Sequence, residues 1–169
     1  MVGKLDKGRM SERVFLRPVN KFDIPLVLKW ANDPEVTYYM FKGAIPVKAE
    51  DLEAEWDKNI VFAVMCGRVH IGTTGLYSIN WIARSAEFRI ILDKNYWGNG
   101  HGTEATKLTV KYGFETLNLN KIWLGVNAEN ISAIRAYEKA GFIKEGILRQ
   151  EIFRNNRYYD AVRMSVLHV

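Results

Sequence analysis

The stretch Trp97-Gly98-Asn99-Gly100-His101-Gly102-Thr103 places three glycines at alternate positions, between an apolar run ending at Leu92 and a helical pattern over Thr103 to Thr116. A turn needs one or two glycines. Three at this spacing clear side chains from the main chain, so that consecutive N–H groups and the positive end of a helix can hold an anion. The competing reading is a tight strand-to-helix turn with small residues for packing. Two common phosphate loops do not fit. No glycine precedes a lysine and a hydroxyl residue, and G-x-G-x-G followed by "LNLNK" has its third glycine one place early and lacks the acid of a dinucleotide fingerprint. A second constellation lies in "NAENISAIRAYEKAGF", where Asn130, Ala133 and Tyr137 fall on one helical stripe, since offsets of three and seven are nearly whole turns. An amide, a small residue and a phenol in line are unusual for pure packing, although a half-buried core tyrosine is the plainer reading of Tyr137 alone.

These residues need elements to hold them. Alternation over Arg13 to Val19 reads as a strand, and "FDIPLVLKWANDPEV" as a short helix stopped by Asn32-Asp33-Pro34. "PVKAEDLEAEWDKN" reads as a helix with an acidic first turn. "IVFAVMC", "VHIGTTGLYSI" and "SAEFRIIL" are three β-rich segments in a meander. The glycine stretch and its helix follow, then the strand "KIWLGV". Next comes a helix capped by Asn130 and stopped by Gly141, and last a hairpin around Asn155-Asn156. The order β-α-α-β-β-β-α-β-α-β-β predicts an α/β (α+β) mixture around one largely antiparallel sheet. A single domain over 13–169 is expected, behind a basic N-terminal tail at 1–12.

The chain has 169 residues, 48% hydrophobic and 25% charged, as ordinary soluble globular proteins do. It has no apolar run of membrane-spanning length and no signal-peptide h-region, so no membrane partner is expected. A single cysteine, Cys66, excludes an internal disulfide and fits a reducing compartment, with the cytoplasm as the default. Net charge is +5, but there is no run of four Lys or Arg residues and no nucleic-acid-binding signature. His70, His101 and His168 lack metal-ligand spacing, and Cys66 has no evident histidine partner, so neither a metal nor a thiol nucleophile is expected.

Together, the two segments resemble the GNAT superfamily of acyltransferases. "W-G-N-G-H-G-T" is similar to its acetyl-CoA pyrophosphate loop, Q/R-x-x-G-x-G/A; Gly100 and Gly102 match, and Trp97 stands where Gln or Arg is usual. A tryptophan there looks like the branch acting on ribosomal-protein N-termini. "E-N-x-x-A-x-x-x-Y-E-K-x-G-F" resembles the superfamily's other CoA-contacting segment. "RSAEFRIIL", "LNLNKIW" and "GFIKEG…RYYDAVRM" look most like the spermidine N-acetyltransferases. The resemblance implies a mixed sheet with a split central strand pair flanked by helices. It also implies acetyl-CoA as co-substrate and no metal. Ile90, Ile91 and Leu92 would offer main-chain groups to the pantetheine arm. The pyrophosphate would rest on Trp97, Gly98, Asn99, Gly100, His101, Gly102 and Thr103, with Asn130 and Ala133 also at the cofactor. Tyr137 would be the general acid and Glu87 the base, the alternative for Glu87 being an ion pair with Arg84 or Arg89.

The acceptor implied is a primary amine, first a polyamine such as spermidine, with Asp33 and Glu35 as cation contacts. Lys42-Gly43 departs from the acids usual in polyamine enzymes. The acidic face of Glu50, Glu53 and Asp57 is either a polyamine contact or simply solvated. An amino sugar, with Tyr38, Tyr39, Phe41 and Trp81 as platforms, and a peptide or ribosomal-protein N-terminus are the alternatives. A non-catalytic CoA-binding regulator is a reading of another class. Relatives form dimers or larger rings, and no residue pattern selects a homo-oligomeric state here.

Overall fold

Apolar, β-branched segments form β1 (Val14–Pro18), β2 (Ile60–Cys66), β3 (Val69–Asn80) and β4 (Ser85–Leu92). β5 (Lys121–Asn127), β6 (Ile143–Arg154) and β7 (Arg157–Leu167) complete the set. The computed structural model describes residues 13–43 and 45–169, and the tail expected at 1–12 lies outside the described residues. The strands form one sheet in the order β1-β2-β3-β4-β5-β7-β6. Every neighbouring pair is antiparallel except β4 and β5. The helices are α1 (Ile24–Ala31), α2 (Ala49–Lys58), α3 (His101–Glu115) and α4 (Ile131–Lys139).

The β4–β5 pair decides where a ligand can enter. Its register is Ser85↔Lys121, Ala86↔Ile122 and Glu87↔Trp123, and there it stops. β4 stays paired with β3 as far as Leu92, and β5 stays paired with β7 as far as Asn127. The two central strands therefore diverge after Glu87, leaving a gap in the middle of the sheet.

Strand alternation gives β4 two different faces. Ala86, Phe88 and Ile90 point into a core shared with Val110 of α3 and Ile134 of α4. Ile91 points the other way, into a cluster with Ile24, Val27 and Trp30 of α1 and Leu52 of α2. Local signals set the ends of the elements. The Asn130 side chain accepts the Ala133 N–H at 3.2 Å, and Gly141, at φ +96°, stops α4. Asn155 and Asn156, at φ +50° and +59°, turn the β6–β7 hairpin. One boundary differs from expectation. α3 begins at His101 rather than Thr103, because Gly100 at φ +84° swings the chain directly into the helix.

Between α1 and α2 the chain crosses to the far half of the sheet. Arg154 donates to the Thr37 carbonyl, and the Phe41 ring lies on β5. A β-carbon at Gly125 would stand 2.9 Å from Phe41 Cζ, so this residue is glycine to admit the ring. That contact brings the segment over the same sheet face that carries Glu87.

Candidate active site

The glycine loop is bare for two different reasons. Gly98 and Gly100 sit at φ +75° and +84°, where L side chains are strained, and a β-carbon built at either would meet nothing within 4 Å. The space in front of them is open. Gly102 lies in the first turn of α3 at ordinary φ, where a β-carbon would come within 3.3 Å of Leu92 Cδ1. Its small size lets α3 approach β4, which corrects the expectation that Gly100 and Gly102 are bare for one purpose. The first intrahelical bond is Glu104 N–H to Gly100 C=O at 3.0 Å, and no side chain caps the helix. The N–H groups of His101, Gly102 and Thr103 thus have no intrahelical acceptor. With the helix dipole behind them, they make an anion cradle.

Trp97 and Asn99 are exposed, and the polar side-chain atoms of the loop are tied to nearby backbone and to Cys66. Trp97 Nε1–H donates to the Leu92 carbonyl at 3.1 Å, and Asn99 Nδ2–H to the Trp97 carbonyl at 3.1 Å. His101 Nδ1 lies 3.2 Å from the Tyr96 carbonyl and Nε2 lies 3.6 Å from Cys66 Sγ. With Nδ1–H donating, Nε2 accepts from the thiol. Cys66 therefore does have a histidine neighbour, contrary to the sequence reading. The pair lies 35 positions apart in the chain and meets only because α3 packs over the end of β2.

Main-chain direction along β4 is fixed by its period. Asp93 N–H bonds the Ile71 carbonyl, and Thr74 Oγ1–H bonds the Arg89 carbonyl, so odd-numbered residues face β3. Lys121 N–H bonds the Arg84 carbonyl, so even-numbered residues face β5 and, past Glu87, the gap. Ile90 and Leu92 turn their peptide groups to the gap, the Leu92 carbonyl already holding Trp97. Ile91, opposite Thr73, faces β3 and leaves the expected set, while Phe88, the first residue past the β4–β5 register, turns its carbonyl to the gap. The strand period, applied to main chain as well as side chain, was the available signal.

Tyr137 is half-buried on α4, edge-on to Phe88 with ring centroids 6.0 Å apart and 6.0 Å from Phe142. Burial pushes its phenol up to about 12. Among the described residues, no group accepts its O–H. Glu87 adjoins Phe88 but points to the opposite face, so phenol and carboxylate flank β4 where the gap opens. The Glu87 carboxylate is held by Arg89, with Nη2 to Oε2 at 2.8 Å; Arg84 takes no part.

On the Glu87 face, Asp33 and Glu35 both bind the Lys94 ammonium, at 3.0 and 2.9 Å, so these expected cation contacts already hold the protein's own cation. Glu53 and Asp57 line a hollow of about 560 Å³ with Trp56 and Tyr112, apart from Glu87. Tyr38, Tyr39, Phe41 and Trp81 are all exposed. Two residues with no sequence signal complete this face. Trp123 stands opposite Glu87 in register, and the Arg163 guanidinium lies 4.1 Å from its ring centroid. Among the described residues no three metal-ligating side chains converge, and no helix is long and apolar enough to cross a membrane.

A sheet split beside an uncapped helix start, with a phenol on the next helix, defines an acyl-CoA-dependent transferase fold. The acetyltransferase (GNAT) domain matches residues 13–143, and the chain belongs to that family. It is an acetyl-CoA-dependent N-acetyltransferase. Spermidine N(1)-acetyltransferase of Escherichia coli (strain K12) is 39% identical over 162 residues, spanning 92% of this chain and 87% of that protein. The crystal structure of spermidine N-acetyltransferase from Vibrio cholerae in complex with CoA and spermine superposes with a TM-score of 0.85 at 33% identity, covering 93% of this chain and 96% of that one. A dodecameric structure of the Vibrio cholerae enzyme matches with a TM-score of 0.78 at 31% identity, covering 93% and 95%.

Proposed function

We propose that the chain acetylates a polyamine of the spermidine type, with Glu87 and Tyr137 at the reacting centre. The observation that carries this reading is the extent of the likeness. It covers 93% of the chain, the acceptor face included, and not only the cofactor half that all such transferases share.

The residues present fit acetyl-CoA. The open space at Gly98 and Gly100 and the amides of His101, Gly102 and Thr103 suit a diphosphate. The Phe88 carbonyl, both peptide groups of Ile90 and the Leu92 N–H suit an extended amide chain lying in the gap as an added strand. Ala133 and Tyr137 of α4, which pack against the core that holds Phe88, and Asn130 at the helix cap would lie on the other side. When bound, the co-substrate supplies an activated acetyl thioester.

The amine must lose a proton before it attacks. An alkylammonium near pKa 10.4 is neutral in about one molecule in 2,500 at pH 7, a cost of about 4.6 kcal/mol. Glu87 lies at the end of the β4–β5 ladder on the acceptor face, and there it orients the ammonium and accepts its proton directly or through water. On the other face Tyr137 holds a proton at Oη. A phenol near 12 lies about 3.5 units above a thiol, or about 5 kcal/mol. Even a fully formed thiolate is therefore too weak a base to keep this proton. The phenol acts by donating a hydrogen bond that strengthens as charge gathers on sulfur, while the thiolate leaves on CoA and takes its proton from solvent.

A second reading, a peptide N-terminus, is favoured by one observation: Asp33, Glu35 and Glu87 are already matched by Lys94 and Arg89. An α-amino group costs only about 1.4 kcal/mol to deprotonate and needs fewer carboxylates. Thiol release measured with spermidine, spermine, a nucleotide amino sugar and N-terminal peptides separates the readings. The polyamines are expected to exceed the amino sugar and the peptides at least tenfold in kcat/KM; a peptide leading the panel would reverse the assignment. We further propose a homo-oligomer, supported by exposed Ile143, Ile147 and Phe153 along the edge strand β6. A cytoplasmic setting accords with an impermeant polyanionic co-substrate.

A further inference from the structure

The acceptor face carries a guanidinium that the chemistry above does not use. Arg89 Nη2 lies 2.8 Å from Glu87 Oε2, Nη1 lies 3.0 Å from Glu55 Oε1, and Cζ stands 4.6 Å from the centroid of the Tyr77 ring. Three elements build this box: Glu55 on α2, Glu87 on β4 and, opposite Glu87 in register, Tyr77 on β3. Burial raises the Tyr77 phenol, so the ring stays neutral and its face electron-rich. Two carboxylates and an aromatic face are ligands for a cation of any origin, and an alkylammonium suits them as a guanidinium does.

We propose that Arg89 is a specificity-determining residue that fills this box with the protein's own cation. A multiply charged amine then gains Glu87 and Glu55 together only by displacing the guanidinium. The inference rests on the reading of the Glu87 face as the acceptor side. Displacement is accessible because Arg89 and Glu55 are 44% and 49% exposed at the side chain, and ion pairs that open to water are weakly held. A box filled nine-tenths of the time by Arg89 lowers apparent affinity for a competing cation about tenfold. An amine with one charge gains less from the box and is penalised less.

Calorimetric titration of spermidine into the CoA-saturated full chain tests this, with propylamine as the singly charged control. Arg89→Gln is expected to tighten spermidine binding at least fivefold and propylamine less than twofold. Adding Glu55→Gln is expected to cancel that gain. Spermidine binding to Arg89→Gln that is equal to or weaker than wild type, at unchanged CoA affinity and melting temperature, overturns the proposal. Glu55→Gln alone decides if Arg89→Gln does not fold. It leaves Arg89 with Glu87 as its sole carboxylate and should weaken spermidine at least threefold, whereas unchanged binding overturns the proposal. Turnover is read separately. Binding gain in Arg89→Gln without spermidine turnover in the wild type dismisses the polyamine reading and keeps the box; turnover without the gain dismisses Arg89.

Discussion

Tyr137 owes its character to its surroundings. Phe88 and Phe142 pack its ring, and burial lifts the phenol to about 12, so it carries its proton throughout the physiological range. Tyr137→Phe keeps the ring and removes only the O–H, so folding and acetyl-CoA KM are expected to stay near wild type. kcat should fall tenfold or more, a loss confined to the transition state. Steady-state rates at saturating amine check this, and an unaltered kcat would remove Tyr137 from the reaction. Glu87 shows how sequence spacing can leave two readings standing. A general base and an ion pair with Arg84 or Arg89 were both consistent with "RSAEFRIIL"; the Arg89 pair is present, and the base role is proposed.

The start of α3 is an element-scale device. Gly100 is needed for its φ of +84°, and the space ahead of it is open. Gly100→Ala is expected to cost about 1 kcal/mol in folding and lower the melting temperature by about 2–4 °C. Gly100→Asn, which tolerates the left-handed region, should lose less. Both variants project a side chain into the cradle, so both should raise acetyl-CoA KM tenfold or more. Normal KM values in the pair would show that the amides of this loop hold no diphosphate. The strand-to-helix change and the caps at Asn130 and Gly141 were legible because they depend on neighbours only a few residues away. The helix start was misplaced by two residues because a glycine at positive φ and a loop glycine look alike in sequence.

At the scale of the whole molecule, polar contacts tie the N-terminal elements to the glycine loop. Arg17 forks onto Asp23 at 2.7 and 2.8 Å, His70 Nδ1 lies 3.2 Å from Asp23, and its Nε2 lies 2.8 Å from the Gly72 carbonyl beside β4. Trp30 Nε1–H donates to Asp93, which caps the turn leading into the glycines. The Arg17 guanidinium, then the Asn20 N–H, hold the Asp23 carboxyl below the usual carboxylate range. A depressed folded value stabilises above the unfolded pKa of about 3.9 and is lost as pH falls through the lower folded value. Asp23→Asn is expected to cost about 2–3 kcal/mol at pH 7, less than a fully buried pair because Arg17 is one-third exposed. Denaturant melts from pH 7 to pH 3 should show that difference shrinking towards the acid end; a constant gap would mean that the charge of Asp23 is not what stabilises.

The sequence by itself determined the element order, the glycine-rich strand-to-helix turn at residues 98 to 102 and the phenol stripe of α4, because each follows from periods and caps spanning a few residues. It did not determine which peptide groups of β4 face the gap, that Ile91 turns away while Phe88 turns in, or that Cys66 meets His101. Nor did it show that Lys94 occupies Asp33 and Glu35 and that Arg89 bridges Glu55 and Glu87. Those facts arise from sheet register and helix packing, which bring Cys66 to His101, Asp33 to Lys94 and Glu55 to Arg89 within 4 Å across tens of positions. Charge pairing depends on that distance, and only the tertiary structure sets it.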